Sequence, residues 1–129
     1  MSENFTVEII SPNGTLLKAD TSEVIIPSYE GEMGILKNHT PIITFLRPGL
    51  IKIRDNKERI LFAEEGTVEF VNNNLLILTS TAKELSSIDE SFLNNHINDA
   101  ERKMSDDRIS DKEKYLLFYK INTLKNINQ

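Results

Sequence analysis

The chain has 129 residues, of which 39% are hydrophobic and 27% charged, with a formal net charge of −5 and no cysteine. This is the length of one domain, or one domain with an appendage, and the composition of an ordinary folded protein able to bury a core without staples. Missing cysteine excludes disulfides, thiolate chemistry and Cys-bearing metal sites, and the acidic balance argues against nucleic acid as a partner, which needs a basic footprint.

The start, Met1-Ser2-Glu3-Asn4, has neither the basic opening and apolar stretch of a signal peptide nor the arginine-rich character of a transit peptide. No apolar run approaches the roughly 20 residues of a membrane-spanning helix. The expected address is therefore the cytoplasm, with membrane contact only through another protein.

Phe5, Val7 and Ile9 alternate with Thr6 and Glu8, the period-two signature of a half-buried strand. Ser11-Pro12-Asn13-Gly14 reads as a turn before Thr15-Leu16-Leu17, and Val24-Ile25-Ile26 ends at Pro27. Gly31-Glu32-Met33-Gly34 contains no GxxxxGK[ST] pattern, so it is not a phosphate-cradling loop; its expected role is a tight turn between strands. Ile42–Leu46 stops at Arg47-Pro48-Gly49, and Leu50–Arg54 alternates again. Ile60–Phe62, Thr67–Val71 and Leu75–Leu78 follow, the last two split by Asn72-Asn73-Asn74. Many short strands with frequent turns predict a β-sandwich or barrel over residues 1–85, against the competing arrangement of an α+β sheet with further helices.

After Ser86 the period changes. Ile88, Phe92, Leu93, Ile97, Ala100 and Met104 make one helical stripe, with Ser87 as N-cap and Glu90 closing a capping box. Ser105-Asp106-Asp107 interrupts it, and Ser110-Asp111-Lys112-Glu113 is a second capping box opening a helix to about Ile127. No Pro or Gly follows Gly66, as continuous helices require. The fold class is mainly β plus α: an N-terminal β-sandwich followed by an antiparallel two-helix hairpin over 86–129.

The second helix is apolar on two sides. Leu116, Leu117, Ile121, Leu124 and Ile127 suit pairing with the first helix, whereas Tyr115, Phe118 and Tyr119 project largely from the opposite side. Those aromatics either pack on the β domain or meet a partner protein. Residues 1–85 carry eight basic and twelve acidic residues, while Lys114, Lys120 and Lys125 close the chain with no acid among them. These lysines either solvate a helix face, with Lys125 at the negative end of its dipole, or dock on an acidic partner.

Catalytic signals are scarce. His39 falls in a turn and His96 on the first helix, with no HExxH and no His/Asp/Glu cluster at metal-ligand spacing. Glu30 and Glu32 flank Gly31, and Glu64-Glu65 are adjacent; such pairs can serve as acid and base, but on an acidic protein they are ordinary solvated surface. The enzyme reading is the weakest one, because no nucleophile, base and stabiliser are matched.

The stretch Ile26–Thr44, with Gly31-Glu32-Met33-Gly34-Ile35, then His39-Thr40-Pro41, then Leu46-Arg47-Pro48-Gly49, resembles the hallmark segment of F-type ATP synthase epsilon subunits. Gly66–Phe70 and Leu78–Ala82 resemble the later strands of that family, so the likeness runs from residue 5 to about 85. It implies a sandwich of about ten strands and a helical hairpin, agreeing with the division above. It further implies a non-catalytic subunit of the central stalk, or rotor, binding the gamma subunit and the ring of c subunits and coupling ring rotation to ATP synthesis. The hairpin of bacterial members impedes ATP hydrolysis by reaching the catalytic beta (and alpha) subunits. Glu32 then matches the loop facing the c ring and His39 the segment near gamma. Tyr115, Phe118, Tyr119, Lys114, Lys120 and Lys125 become regulatory hairpin contacts. The lack of a transit peptide favours a bacterial protein, peripheral on the cytoplasmic face of the inner membrane, over the mitochondrial counterpart called delta.

Two departures stand out. Glu65-Gly66 replaces paired glycines of many members. Where some members bind ATP through I-D-x-x-R-A, this chain has Ile88-Asp89-Glu90-Ser91-Phe92-Leu93, without the arginine; no cofactor is expected, and weak or absent ATP binding. The alternatives are an independent regulatory or adaptor module and a small nucleotide-responsive sensor, which needs that arginine.

Overall fold

Alternating burial organises residues 5–84 into strands, and a computed structural model describes residues 3–127. The strands are β1 (Phe5–Ser11), β2 (Gly14–Thr21), β3 (Glu23–Ser28), β4 (Gly31–Leu36), β5 (Ile42–Leu46), β6 (Gly49–Arg54), β7 (Glu58–Ala63), β8 (Gly66–Val71), β9 (Asn74–Leu78) and the two-residue β10 (Lys83–Glu84). Their hydrogen-bonded order is β10-β7-β6-β3-β5-β8-β9-β1-β2, with β4 on the side of β3. All pairings are antiparallel except β1 with β9.

The sheet curls because β3 changes partner. Its first half pairs with β6 through Glu23–Ile25, and its end meets β5 at Ser28↔Leu46. Pro27 lies between those rungs, so its missing N–H costs no ladder bond and the strand runs through it to Ser28. Val7, Ile9, Ile26, Ile35, Ile51, Val68, Phe70 and Ile77 are among the buried residues that fill the interior of the resulting sandwich. Phe5 packs edge-on to Phe70, ring centroids 5.5 Å apart.

Two strands were hidden from the sequence reading, the two-residue β10 and β4. Gly31-Glu32-Met33-Gly34 is not the turn but the start of β4, in register with β3 through Ile26↔Met33 and Pro27↔Glu32. The turn is the preceding pair Tyr29-Glu30, and Gly31 leaves it at φ 128°, where a Cβ would be strained. Asn72 and Asn73, at φ 52° and 59°, make the tight β8–β9 turn, a conformation that asparagine tolerates well.

After a 3₁₀ turn at Leu85–Ser87 come helices α1 (Glu90–Met104) and α2 (Asp111–Asn126). The cap of α1 differs from expectation. Asp89, not Ser87, is the N-cap, its carboxylate accepting from the Phe92 N–H at 2.8 Å, because residues 85–87 are already committed to the 3₁₀ turn. The second cap is as read: Ser110 Oγ accepts from the Glu113 N–H at 3.1 Å, with the Glu113 carboxylate 3.4 Å from that hydroxyl.

The helices pack on each other and on the outside of the sandwich. Phe62 of β7 points away from the main core and meets Leu93 of α1 and Leu124 of α2, with Leu50, Ile97 and Ile127 around them. Leu61, Phe62 and Ala63 are all buried, so β7 is covered on both faces. No helix of the described residues is long and apolar enough to cross a membrane.

Candidate interaction surfaces

The acidic turn is built by β3 and β4. Ser28 Oγ donates to the Gly31 carbonyl at 2.7 Å, closing it from within. The Tyr29 N–H donates to the Phe45 carbonyl at 3.3 Å, and the Arg47 N–H to the Pro27 carbonyl at 2.9 Å. Glu30 and Glu32 are left exposed, Glu32 as an outward residue of β4 opposite Pro27.

His39 sits in the link from β4 to β5, half-buried. Its Nδ1 lies 2.7 Å from the Thr40 carbonyl; a carbonyl only accepts, so Nδ1 carries the proton. The ring lies edge-on to Phe70 at 6.0 Å. The backbone here is clamped by an amide pair: the Asn38 N–H donates to Asn73 Oδ1 at 2.7 Å and Asn73 Nδ2 to Asn38 Oδ1 at 3.0 Å. Asn38 adopts φ 66° to make the turn.

Next to this link, β5 presents an apolar face outward. Ile43 is 76% exposed and Phe45 59% exposed, while the intervening Thr44 is half-buried. The register Ile42↔Phe70 and Ile43↔Glu69 places a surface hollow against β8, lined by Pro41, Ile42, Ile43, Glu69, Phe70 and Val71. Water-facing aromatic and branched side chains side by side are the kind of surface a protein partner covers.

The third surface joins the helices to the sandwich. Arg47 Nη1 donates to the Tyr115 hydroxyl at 3.1 Å, and that hydroxyl donates to the Tyr29 carbonyl at 2.6 Å. The Arg47 guanidinium also lies 3.7 Å over the Tyr119 ring. Lys120 pairs with Glu64 at 2.8 Å, and Lys125 with Glu101 of α1 at 3.4 Å. Of the two roles open to the aromatics, Tyr115 and Tyr119 take the intramolecular one, whereas Phe118 stays 47% exposed. Lys114 is exposed on the first turns of α2. Where the resemblance called for an arginine, Phe92 stacks on His96 at 3.9 Å, with the Lys83 ammonium 4.7 Å from its ring centre.

Of the carboxylates considered for acid–base chemistry, Glu64 and Glu65 are engaged, whereas Glu30 and Glu32 lie exposed. Glu65 Oε1 accepts from the Ser80 N–H at 3.0 Å and the Ser80 hydroxyl at 2.7 Å. Thr79 donates to the Glu65 carbonyl at 2.6 Å and Thr81 accepts from the Glu64 N–H at 2.9 Å, so Thr79-Ser80-Thr81 serves to lock the β7–β8 turn. Among the described residues no three His, Asp or Glu side chains are placed to hold a metal ion. The exposed apolar pair on β5 is a candidate docking face.

Sequence reasoning missed Arg47 and Tyr29 as residues that seat α2, and Ile43 and Phe45 as an exposed apolar pair. A signal existed for the last two: Thr44 occupies the inward parity of β5, which leaves Ile43 and Phe45 outward. None existed for Arg47 and Tyr29, whose partner Tyr115 is 68 and 86 residues away.

Comparison with known proteins gives a consistent family. A profile described as "ATP synthase, Delta/Epsilon chain, beta-sandwich domain" matches residues 4–85. The ATP synthase epsilon chain of Pelagibacter ubique is 45% identical over 130 residues, covering 99% of this chain and 100% of that one. The chloroplastic epsilon chain of Pyropia yezoensis is 38% identical over 109 residues, covering 84% and 81% respectively. Among solved structures, a chain of the Euglena gracilis mitochondrial ATP synthase OSCP/F1/c-ring superposes with TM-score 0.83 at 19% identity, covering 100% of this chain and 84% of that one. A chain of the Tetrahymena thermophila central stalk/c-ring assembly gives 0.65 at 18%, covering 95% and 92%. At those identities the structural likeness speaks for the fold.

Proposed function

This chain belongs to the ATP synthase delta/epsilon chain family, and from that premise we propose that it is the non-catalytic epsilon subunit of a bacterial ATP synthase. It sits in the central stalk, peripheral on the cytoplasmic face of the inner membrane, and helps pass rotation of the c ring to ATP synthesis. The sandwich, residues 1–85, is the anchor to the gamma subunit and the c ring. The helices, residues 86–129, are the regulatory part. Residues 1, 2, 128 and 129 of these bounds lie outside the described residues.

The observation that carries the anchoring role is the outward apolar pair Ile43 and Phe45 beside the clamped His39 link. A permanent partner would remove that surface from water, and aromatic anchors are what stable interfaces use. On this reading His39 lies at the gamma contact and the exposed Glu32 faces the c ring. A Glu32→Lys variant tests the second assignment; unchanged assembly of the rotor would count against it.

The inhibitory role rests on how the helices are held. Their apolar seat is the small cluster around Phe62, Leu93 and Leu124, supplemented by Arg47, Lys120 and the tyrosines. Contacts of this size are exchangeable for equivalent ones on another protein, so a few kcal/mol can bias either arrangement. Tyr115, Phe118, Tyr119, Lys114, Lys120 and Lys125 would then meet gamma and the beta (and alpha) subunits. Deleting the chain after Ser86 should leave the rotor assembled and raise ATP hydrolysis; no rise would remove the inhibitory assignment. With Phe92 in place of the arginine, tight ATP binding is not expected, and calorimetry on the isolated subunit checks this.

A further inference from the structure

We infer that α2 sets the conformation of the acidic turn through Tyr115, so that Tyr115 and Arg47 are positioning residues for the segment Tyr29–Glu32. This rests on the proposed function only in that the turn carries Glu32, the residue read as facing the c ring.

The argument starts from how little holds a two-residue turn. Tyr29 and Glu30 are exposed, and a carbonyl in such a turn ordinarily bonds to water. Here the Tyr29 carbonyl instead accepts from the Tyr115 hydroxyl at 2.6 Å, while its own N–H bonds to the Phe45 carbonyl at 3.3 Å. Tyr29 is thus gripped from opposite sides by β5 and by α2. The phenol is itself oriented, because Arg47 Nη1 donates to it at 3.1 Å and the Tyr119 ring lies beneath that guanidinium at 3.7 Å. A donor chain from Arg47 through Tyr115 to Tyr29 polarises each link in turn. The Arg47 backbone closes the circuit, its N–H bonding the Pro27 carbonyl at 2.9 Å. The Tyr29 and Tyr115 rings also touch, centroids 5.8 Å apart.

Free-energy linkage gives the consequence. If α2 orders the turn, a partner that grips the turn must favour the seated helix by the same factor by which the seated helix favours the partner. Glu30 and Glu32 stay open to solvent while Tyr115 is in place, so the coupling is positive: the braced turn loses less freedom on binding.

The test uses the full-length isolated subunit, wild type against Tyr115→Phe, with residue-resolved amide exchange. The variant keeps the ring and removes only the hydroxyl. Losing one such hydrogen bond should speed exchange at the Tyr29 and Arg47 amides about fivefold, with Val68 and Ile77 unchanged, and Lys114→Ala on the same helix should leave all of them unchanged. Wild-type exchange at Tyr29 in Tyr115→Phe would overturn the inference, as would equal acceleration throughout the sandwich, which marks lost global stability rather than positioning. No rotor partner is in the sample, so either result leaves the c-ring assignment of Glu32 to its own test.

Discussion

Lys120 reaches from α2 to Glu64 at 2.8 Å, with the lysine side chain only 12% exposed and the glutamate 29%. This is the one ion pair between helix and sandwich among those found in the described residues, and it is half-desolvated, unlike the pairs on α1. Removing one partner leaves a charge in a poor solvent. Lys120→Met should therefore cost about 1–2 kcal/mol, between the values typical of exposed and buried pairs. The loss should appear as faster amide exchange in α2 while the sandwich amides hold their rates.

Phe62→Ala probes the apolar seat. The ring is buried between β7 and both helices and lies outside the main core. Truncation should cost about 3 kcal/mol and expose the 105–110 link to protease. Cleavage there at the wild-type rate would mean the helices are held by other contacts.

Gly66 and Gly34 make a contrasting pair. A Cβ at Gly66 would lie 2.6 Å from the Leu78 carbonyl oxygen at a backbone φ of 155°, whereas one at Gly34 would meet only the end of the Glu23 side chain at 3.6 Å. Gly66→Ala should lower urea stability by about 2 kcal/mol or more, and Gly34→Ala by less than about 0.5 kcal/mol.

Strong acid should weaken the ion pairs of α1 and its link. Hydrogen bonding from Lys103, with Arg102 adding, holds Asp99 below the usual carboxylate value, and Arg108 does the same for Asp106. A carboxylate depressed in the fold contributes stability that is present above its unfolded pKa and is lost as pH falls through the folded one. Thermal midpoints at neutral pH and near about pH 2 should differ less for Asp99→Asn than for wild type. An identical drop would show that the Asp99 pairs contribute nothing.

Phe45→Asp tests the docking face. The side chain is 59% exposed, so the fold should survive, while binding to the gamma subunit should weaken by about 2 kcal/mol or more, the scale of an aromatic anchor. Titration of the purified proteins reads this directly.

Local chemistry explains what was legible in the sequence. Phe5, Val7 and Ile9 announce β1 by alternation, and Ser110 with Glu113 announces α2, because each signal lies within a few residues. The stripe of α1 is equally local: Leu93 and Ala100 are buried as its period requires. β4 was not legible, since Gly31-Glu32-Met33-Gly34 lacks β-branched residues and becomes a strand only through its register with β3. Asp89 displaced Ser87 as cap because both have the right chemistry, and the 3₁₀ turn decides between them. The seat of α2 was least accessible: Arg47, Tyr29 and Glu64 carry no local mark of a helix that follows dozens of residues later.

The most direct test of the central claim is co-expression of the full chain with the gamma subunit of the same organism, followed by size-exclusion chromatography. A stoichiometric complex is the predicted result. A folded, soluble chain that elutes alone would contradict the stalk assignment.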